Sequence, residues 1–215
     1  MQCEQHGIPI VEDDVYGDLY FNHERPKPLK SFDTNDNILY MNSLSKTVSP
    51  GLRVGWIVAK PSVAAHLADL KMQNDYGASS ISQYIAIQWL THPQYHDQHL
   101  KMLKNQLLIK RNLFLESLKR YFSDFGSWST PEGSFYIWFQ FKFSIDMKRL
   151  FDEAIAENIL INPGEVYDKD ARDCIRFSYA YIDAEDIDAT LKHLSKIIQT
   201  RFTPPSSHIG KGNHG

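Results

Sequence analysis

Three short apolar runs, each ending in polar residues, set the strongest limit on what this chain can become. They are GIPIVEDDVY, with Ile8 to Val11 as its apolar part, NILYMN at 37 to 42, and RVGWIVA at 53 to 59. Continuous apolar runs of this length, bounded by Gly and polar residues, suit buried strands of a parallel sheet. Three such strands with polar carboxyl ends imply an α/β sheet, in which ligands sit outside those ends. Here the ends carry Asp13, Tyr16, Ser43, Ser45 and Lys46.

From Pro61 the pattern changes to helical spacing in PSVAAHLADLKMQ and ISQYIAIQWL. A long amphipathic segment runs from about Pro93 to Phe122, with Leu100, Leu103, Leu107, Leu108, Leu113, Leu115 and Leu118 among its apolar positions. The stretch from Gly126 to Pro131 breaks it. SFYIWFQF is expected as a strand, DMKRLFDEAIAEN as a helix, LIN as a short strand and PGEVYD as a turn. CIRFSYAY is a further strand, and a closing helix follows with Asp183 as N-cap and Asp186 three later. The expected organisation is a doubly wound part at 1–92, a smaller α+β unit at 93–202 and a disordered tail at 203–215.

Composition excludes several classes. A net charge of −3 with no dense basic block leaves no electrostatic footprint for nucleic acid through this segment. No apolar run approaches bilayer length, so no membrane partner is expected, and MQCEQHGIPI does not read as a secretory signal. Cys3 and Cys174 are far apart and read as reduced thiols, which places the protein in the cytoplasm.

The chemistry concentrates in SLSKTVSPGLRVGW, residues 43 to 56. A lysine at a strand-to-loop position, Lys46, can condense with an aldehyde. The hydroxyls of Ser43 and Ser45 and the guanidinium of Arg53 can hold a phosphate dianion. Pyridoxal 5'-phosphate carries both groups on one small ring. Asp13 or Asp14 could face the pyridine nitrogen and favour its protonated form, and Tyr16 could hydrogen-bond the ring hydroxyl. Arg176, inside the mostly apolar CIRFSYAY, calls for a partner, which a substrate carboxylate would supply.

Each of these residues also has a plainer reading. Lys46 could be a solvated lysine, the aspartates a turn pair, Tyr16 a packing residue, Arg53 a surface ion pair and Arg176 half of an internal one. His92, His96 and His99 share i, i+4, i+7 spacing that could hold a metal, but the segment is polar and reads as a solvated helix start.

The motifs IVEDDVYGDLYF, SLSKTVSPGLRVGW, PEGSFYIW, INPGEVYD and CIRFSY, in that order over residues 8 to 179, resemble fold-type I pyridoxal phosphate-dependent aminotransferases of class I/II. The likeness is strongest to the aminotransferase-like domain of MocR-type (GntR-family) transcriptional regulators and extends to aminoadipate and kynurenine aminotransferases. The resemblance implies that Lys46 is the imine-forming lysine and proton shuttle. It implies that Asp13 pairs with the ring nitrogen, that Tyr16 contacts the ring oxygen, and that Ser43, Ser45 and Arg53 bind phosphate. Arg176 would take the α-carboxylate of an amino acid. An amino group would pass to a 2-oxo acid, in a homodimer. In a MocR-type regulator the same domain senses an effector, and DNA is bound by a separate N-terminal domain.

Two departures accompany the resemblance. Ser134 stands where many relatives carry glycine. The asparagine motif, ring-stacking aromatic and phosphate-binding turn that relatives carry before EDD have no counterpart here. The sequence therefore reads as a C-terminal fragment, inactive alone, with an exposed sheet edge.

Overall fold

The structure is a computed structural model that describes residues 2–21 and 24–202. The expected tail at 203–215 lies outside the described residues. The chain divides into two compact units. One takes the residues up to Leu108 together with Glu132–Ser134, and the other takes Ile109–Pro131 and the residues from Phe135 onward.

The first unit contains α1 (Gln2–Gln5), β1 (Ile10–Asp13), β2 (Ile38–Ser43), β3 (Gly55–Val58), α2 (Pro61–Asp75) and α3 (Ser80–Leu90). It also holds the first part of α4 (Pro93–Tyr121), which continues into the second unit. Its sheet has the order β1-β2-β3. β1 and β2 are parallel, with Asp13 opposite Met41, whereas β3 runs antiparallel to β2, with Ser43 opposite Gly55. The third expected strand thus forms, and it runs against its neighbour. The short loop between β2 and β3 cannot make the crossover that a parallel neighbour requires.

Burial corrects the expectation of buried strands. Ile38 of the central strand is buried, but Val11 on β1 is 63% exposed and every residue of β3 is exposed. β1 and β3 are the edge strands of this sheet and carry exposed apolar positions.

Carboxylates lock the approach to this sheet. Glu12 accepts the backbone N–H groups of Leu29 and Lys30 at 2.7 and 2.9 Å. Asp33 accepts from Lys30 Nζ at 2.8 Å and from the backbone of Asn37 and Ile38 at 3.1 and 3.0 Å. The Lys30 hydrogen bond, aided by these N–H groups and opposed by burial, holds the Asp33 carboxyl down to about 2. A folded value below the unfolded one stabilises the native state above the ordinary carboxylate range and loses that contribution as pH falls through the folded value. Asp33→Asn should therefore flatten the acid limb of a stability–pH curve between about 4 and 2. Denaturant midpoints measured across that range check this, and an unchanged slope refutes it.

The second unit holds the rest of α4, then β4 (Gly126–Trp128), β5 (Tyr136–Phe141), α5 (Met147–Ala156), β6 (Cys174–Ser178) and α6 (Ile187–Arg201). Its sheet is antiparallel in the order β4-β5-β6. β4 arises inside the stretch read only as a helix breaker. One face of the sheet is core: Ile137, Phe139, Ile175 and Phe177 are buried, with Phe114, Leu118 and Phe122 of the α4 region. The buried stripe on α4 is Leu107, Arg111, Phe114, Leu118, at helical spacing, while Leu113 is exposed. Arg111 is accommodated by donating to the Pro131 carbonyl at 2.7 Å. The opposite sheet face presents Tyr136, Trp138 and Gln140 beside Cys174, Arg176 and Ser178.

Two further expectations change. The short strand at LIN does not form. Instead, Arg176 N–H donates to the Asn162 carbonyl at 2.9 Å and Pro163 makes an isolated bridge to Ile175. Proline lacks the N–H that a ladder needs. The N-cap of α6 is Asp186, not Asp183, and its side chain makes no capping bond. The helix starts where the buried stripe of Ile187, Leu191 and Leu194 starts.

Candidate functional site

Because β1 and β2 are parallel, their carboxyl ends share one end of the sheet. Asp13 closes β1 and Ser43 closes β2. The chain beyond Ser43 folds back on itself: the N–H of Ser45 donates to Ser43 Oγ at 3.1 Å, and the two serine hydroxyls are 3.0 Å apart. Arg53 Nη1 reaches Ser45 Oγ at 3.5 Å. Two hydroxyls and a guanidinium thus form one continuous polar chain, the donor set that a phosphate dianion requires.

Arg53 holds this position in a left-handed backbone conformation, φ 52°. Such a conformation is costly for a residue with a Cβ and collects at functional loops. It also explains why the run RVGWIVA becomes a strand only at Gly55.

Lys46 follows Ser45 directly. Its ammonium lies 5.4 Å from the centroid of the Tyr16 ring, which faces it from the loop after β1. Among the described residues no carboxylate pairs with Lys46. The two acidic candidates separate. Asp14 is engaged with Arg25 and accepts from the Tyr40 hydroxyl at 2.9 Å. Arg25 also pairs with Asp18 at 3.2 Å, and Asn42 donates to the Tyr40 hydroxyl at 2.8 Å. Gly17 makes room for this cluster, since a Cβ there would lie 2.2 Å from Asp14 Oδ1. Asp13, by contrast, accepts among the described residues only a long bond of 3.4 Å from the Val15 N–H, which leaves capacity there for a ligand cation.

The first unit therefore brings together Tyr16, Lys46, Ser43, Ser45 and Arg53, with Asp13 at the same sheet end. Arg176 belongs to the second unit. Its guanidinium carbon lies over the Tyr136 ring at 3.9 Å and over the Tyr167 ring at 3.8 Å, and its Nε is buried without a hydrogen bond. The internal ion pair considered for it does not form among the described residues. Sequence reasoning missed Arg25 and Tyr40 as the partners of Asp14, and Tyr136 and Tyr167 as those of Arg176. Aromatics at alternate positions of a strand beside an arginine strand were the available signal for Tyr136.

The three histidines do not converge on a metal. His92 Nδ1 meets the Gln88 carbonyl at 2.7 Å, His96 meets Asp97 at 3.4 Å, and His99 donates to the Thr47 carbonyl at 2.9 Å. Ser134, at φ 70°, is left-handed, so the position does place the backbone where glycine is favoured.

The aminotransferase class I and II family pattern matches residues 2–194. The chain belongs to the class I and II aminotransferase family. An uncharacterised HTH-type transcriptional regulator of Bacillus subtilis, YisV, is 43% identical over 185 residues, covering 86% of this chain and 38% of that protein. The HTH-type transcriptional regulator NorG of Staphylococcus aureus is 40% identical, covering 86% of this chain and 41% of its own. The Pyrococcus horikoshii kynurenine aminotransferase, solved in complex with PMP, superposes with a TM-score of 0.88 at 25% identity, over 94% of this chain and 50% of that one. This aminotransferase-family chain thus carries part of the fold and spans half or less of the length of these relatives. No helix among its described residues is long and apolar enough to cross a membrane.

The residues present fit pyridoxal phosphate. The Ser43–Ser45–Arg53 chain suits the phosphate, Lys46 offers an amine without an acidic partner, and Asp13 keeps carboxylate capacity for a ring nitrogen.

Proposed function

We propose that this domain binds pyridoxal 5'-phosphate through Lys46 and binds an amino acid through Arg176. In the intact protein the amino group would pass to a 2-oxo acid. The observation that supports this reading is the Lys46 ammonium 5.4 Å from the Tyr16 ring, on the residue that follows the Ser45 bonded to Ser43 and Arg53. When bound, the cofactor supplies an electron-accepting pyridinium ring. Lys46 would hold the cofactor through its side-chain amine and would move the proton at the substrate Cα. Asp13 would favour the protonated ring nitrogen, because a nearby carboxylate stabilises the charged form. The Tyr16 hydroxyl orients the ring oxygen. Ser43, Ser45 and Arg53 hold the phosphate by charge-assisted hydrogen bonds, each worth about 1.5–3 kcal/mol. The protein acts as a cytoplasmic homodimer.

A second reading is favoured by the relatives. Similarity of 40% or more to two proteins named as transcriptional regulators supports an effector-sensing role, with DNA contacted by another part of the intact protein. Both readings use the same cofactor site. Turnover of an amino acid with a 2-oxo acid acceptor separates them: multiple turnovers identify an enzyme, and ligand binding without turnover identifies a sensor.

The cofactor assignment is tested by incubating the intact protein with pyridoxal phosphate, reducing with borohydride and mapping the modified peptide. Label should fall on Lys46, and Lys46→Ala should abolish both the label and the visible absorbance band. Fixation at a different lysine would overturn the assignment.

A further inference from the structure

We propose that Tyr136 and Tyr167 are positioning residues that hold the Arg176 guanidinium between their rings and so determine its affinity for a carboxylate. The inference rests on the reading of Arg176 as the carboxylate-binding residue and deepens it.

The geometry begins with two ring contacts. The Arg176 Cζ stands 3.9 Å from one ring centroid and 3.8 Å from the other. Two rings that both turn a face to one carbon at such distances approach it from different sides. Stacking of this kind is favourable for a planar, weakly hydrated cation. With rings on two sides, a ligand is left to meet the five N–H donors at the guanidinium edges.

Those donors are unspent. No hydrogen bond to Arg176 side-chain nitrogens is made among the described residues, and Nε is fully buried in that condition. Ser178, two residues on and on the same face of β6, has a buried hydroxyl that also makes no hydrogen bond among the described residues. Buried polar atoms left unpaired are uncommon in folded proteins and call for a missing ligand or water. Two of them on one strand face, beside a cation held by rings alone, mark a place for an anion. A carboxylate is planar and matches a guanidinium edge bidentately.

The clamp also supplies what the arginine strand cannot. A long side chain free in solvent loses its rotamer freedom when a ligand arrives, which weakens binding. Here the two rings have already fixed it. Tyr136 sits within β5, opposite Ser178, and is held by the sheet. Tyr167 follows a short helical turn, Gly164–Val166, and is 44% exposed. It is therefore the replaceable wall, and changing it leaves the core intact.

The test uses the intact protein loaded with pyridoxal phosphate. A panel of L-α-amino acids is titrated by calorimetry, and the tightest is kept as the probe. Cofactor affinity is measured in parallel by absorbance. Tyr167→Phe keeps the ring and should bind the probe as the parent does. Tyr167→Leu should weaken the probe by about 5- to 20-fold, the scale of one cation–π contact, with cofactor affinity unchanged. Arg176→Ala should weaken it further. If Arg176→Ala weakens the probe and Tyr167→Leu does not, the clamp is overturned and the carboxylate reading stands. If Arg176→Ala changes nothing, or no amino acid binds the parent, the underlying reading falls and the clamp with it. A loss in Tyr167→Phe equal to that in Tyr167→Leu would assign the effect to the hydroxyl and also overturn the clamp.

Discussion

Replacing Phe139 with alanine should destabilise the second unit by about 3–5 kcal/mol, the range for truncating a buried phenylalanine. Phe139 is fully buried on β5. Its ring meets Phe122 at 5.5 Å, Phe141 at 4.9 Å and Phe177 at 5.9 Å between centroids, all edge-to-face, and stacks on Trp128 at 6.2 Å. Edge-to-face pairs add to the area that each ring buries. The neighbours come from two helix or strand ends and two further strands, so they cannot collapse together into the space left. Hydrogen exchange of the β5 and β6 amides should accelerate accordingly. A loss below about 1 kcal/mol would mean the cluster repacks freely, contrary to the close packing expected of such cores.

Gly126→Ala should cost about 3 kcal/mol, near the upper end for forced crowding in a packed interior. A Cβ at Gly126 would lie 2.0 Å from the Gln140 carbonyl oxygen and 2.7 Å from Phe139 Cζ. The first contact is with the backbone of the paired strand, so no side-chain rotation relieves it. β4 has only three residues, and its ladder to β5 is correspondingly short. Combining the two changes separates the contacts. In a Phe139→Ala background the ring contact is gone and the carbonyl contact persists, so Gly126→Ala should still destabilise. Urea midpoints of the single and double variants measure this. Full rescue of Gly126→Ala by Phe139→Ala would refute the backbone account.

The candidate site was more legible than the sheet that carries it. Ser43, Ser45, Lys46 and Arg53 lie within one short stretch, so they could be picked out as candidates from the sequence, while their roles came from the family resemblance. The side chains of Ser43, Ser45 and Arg53 contact one another, and Lys46 contacts the Tyr16 ring instead. The direction of β3 was not legible, because an apolar run looks the same parallel or antiparallel; the length of its loop was the better guide. Burial of β1 and β3 was overestimated for a related reason. Apolarity signals what a strand can bury, not what covers it. β4 was missed because three residues carry no periodicity. At α6, Asp183 and Asp186 offered two starts, and the apolar stripe from Ile187 decided between them. The Tyr136–Arg176–Tyr167 arrangement joins three distant positions and leaves no local trace. The separation of Asp13 from Asp14 likewise depends on Arg25 and Tyr40, which the sequence sets well apart from both.

Arg53 sets two kinds of selection against each other at one codon. Glycine would relax the inverted backbone there, by about 1–2 kcal/mol, and would strip out the cation that touches Ser45. A library screened for heat resistance would drift toward glycine at this position, whereas one screened for retention of an anionic ligand would keep the arginine.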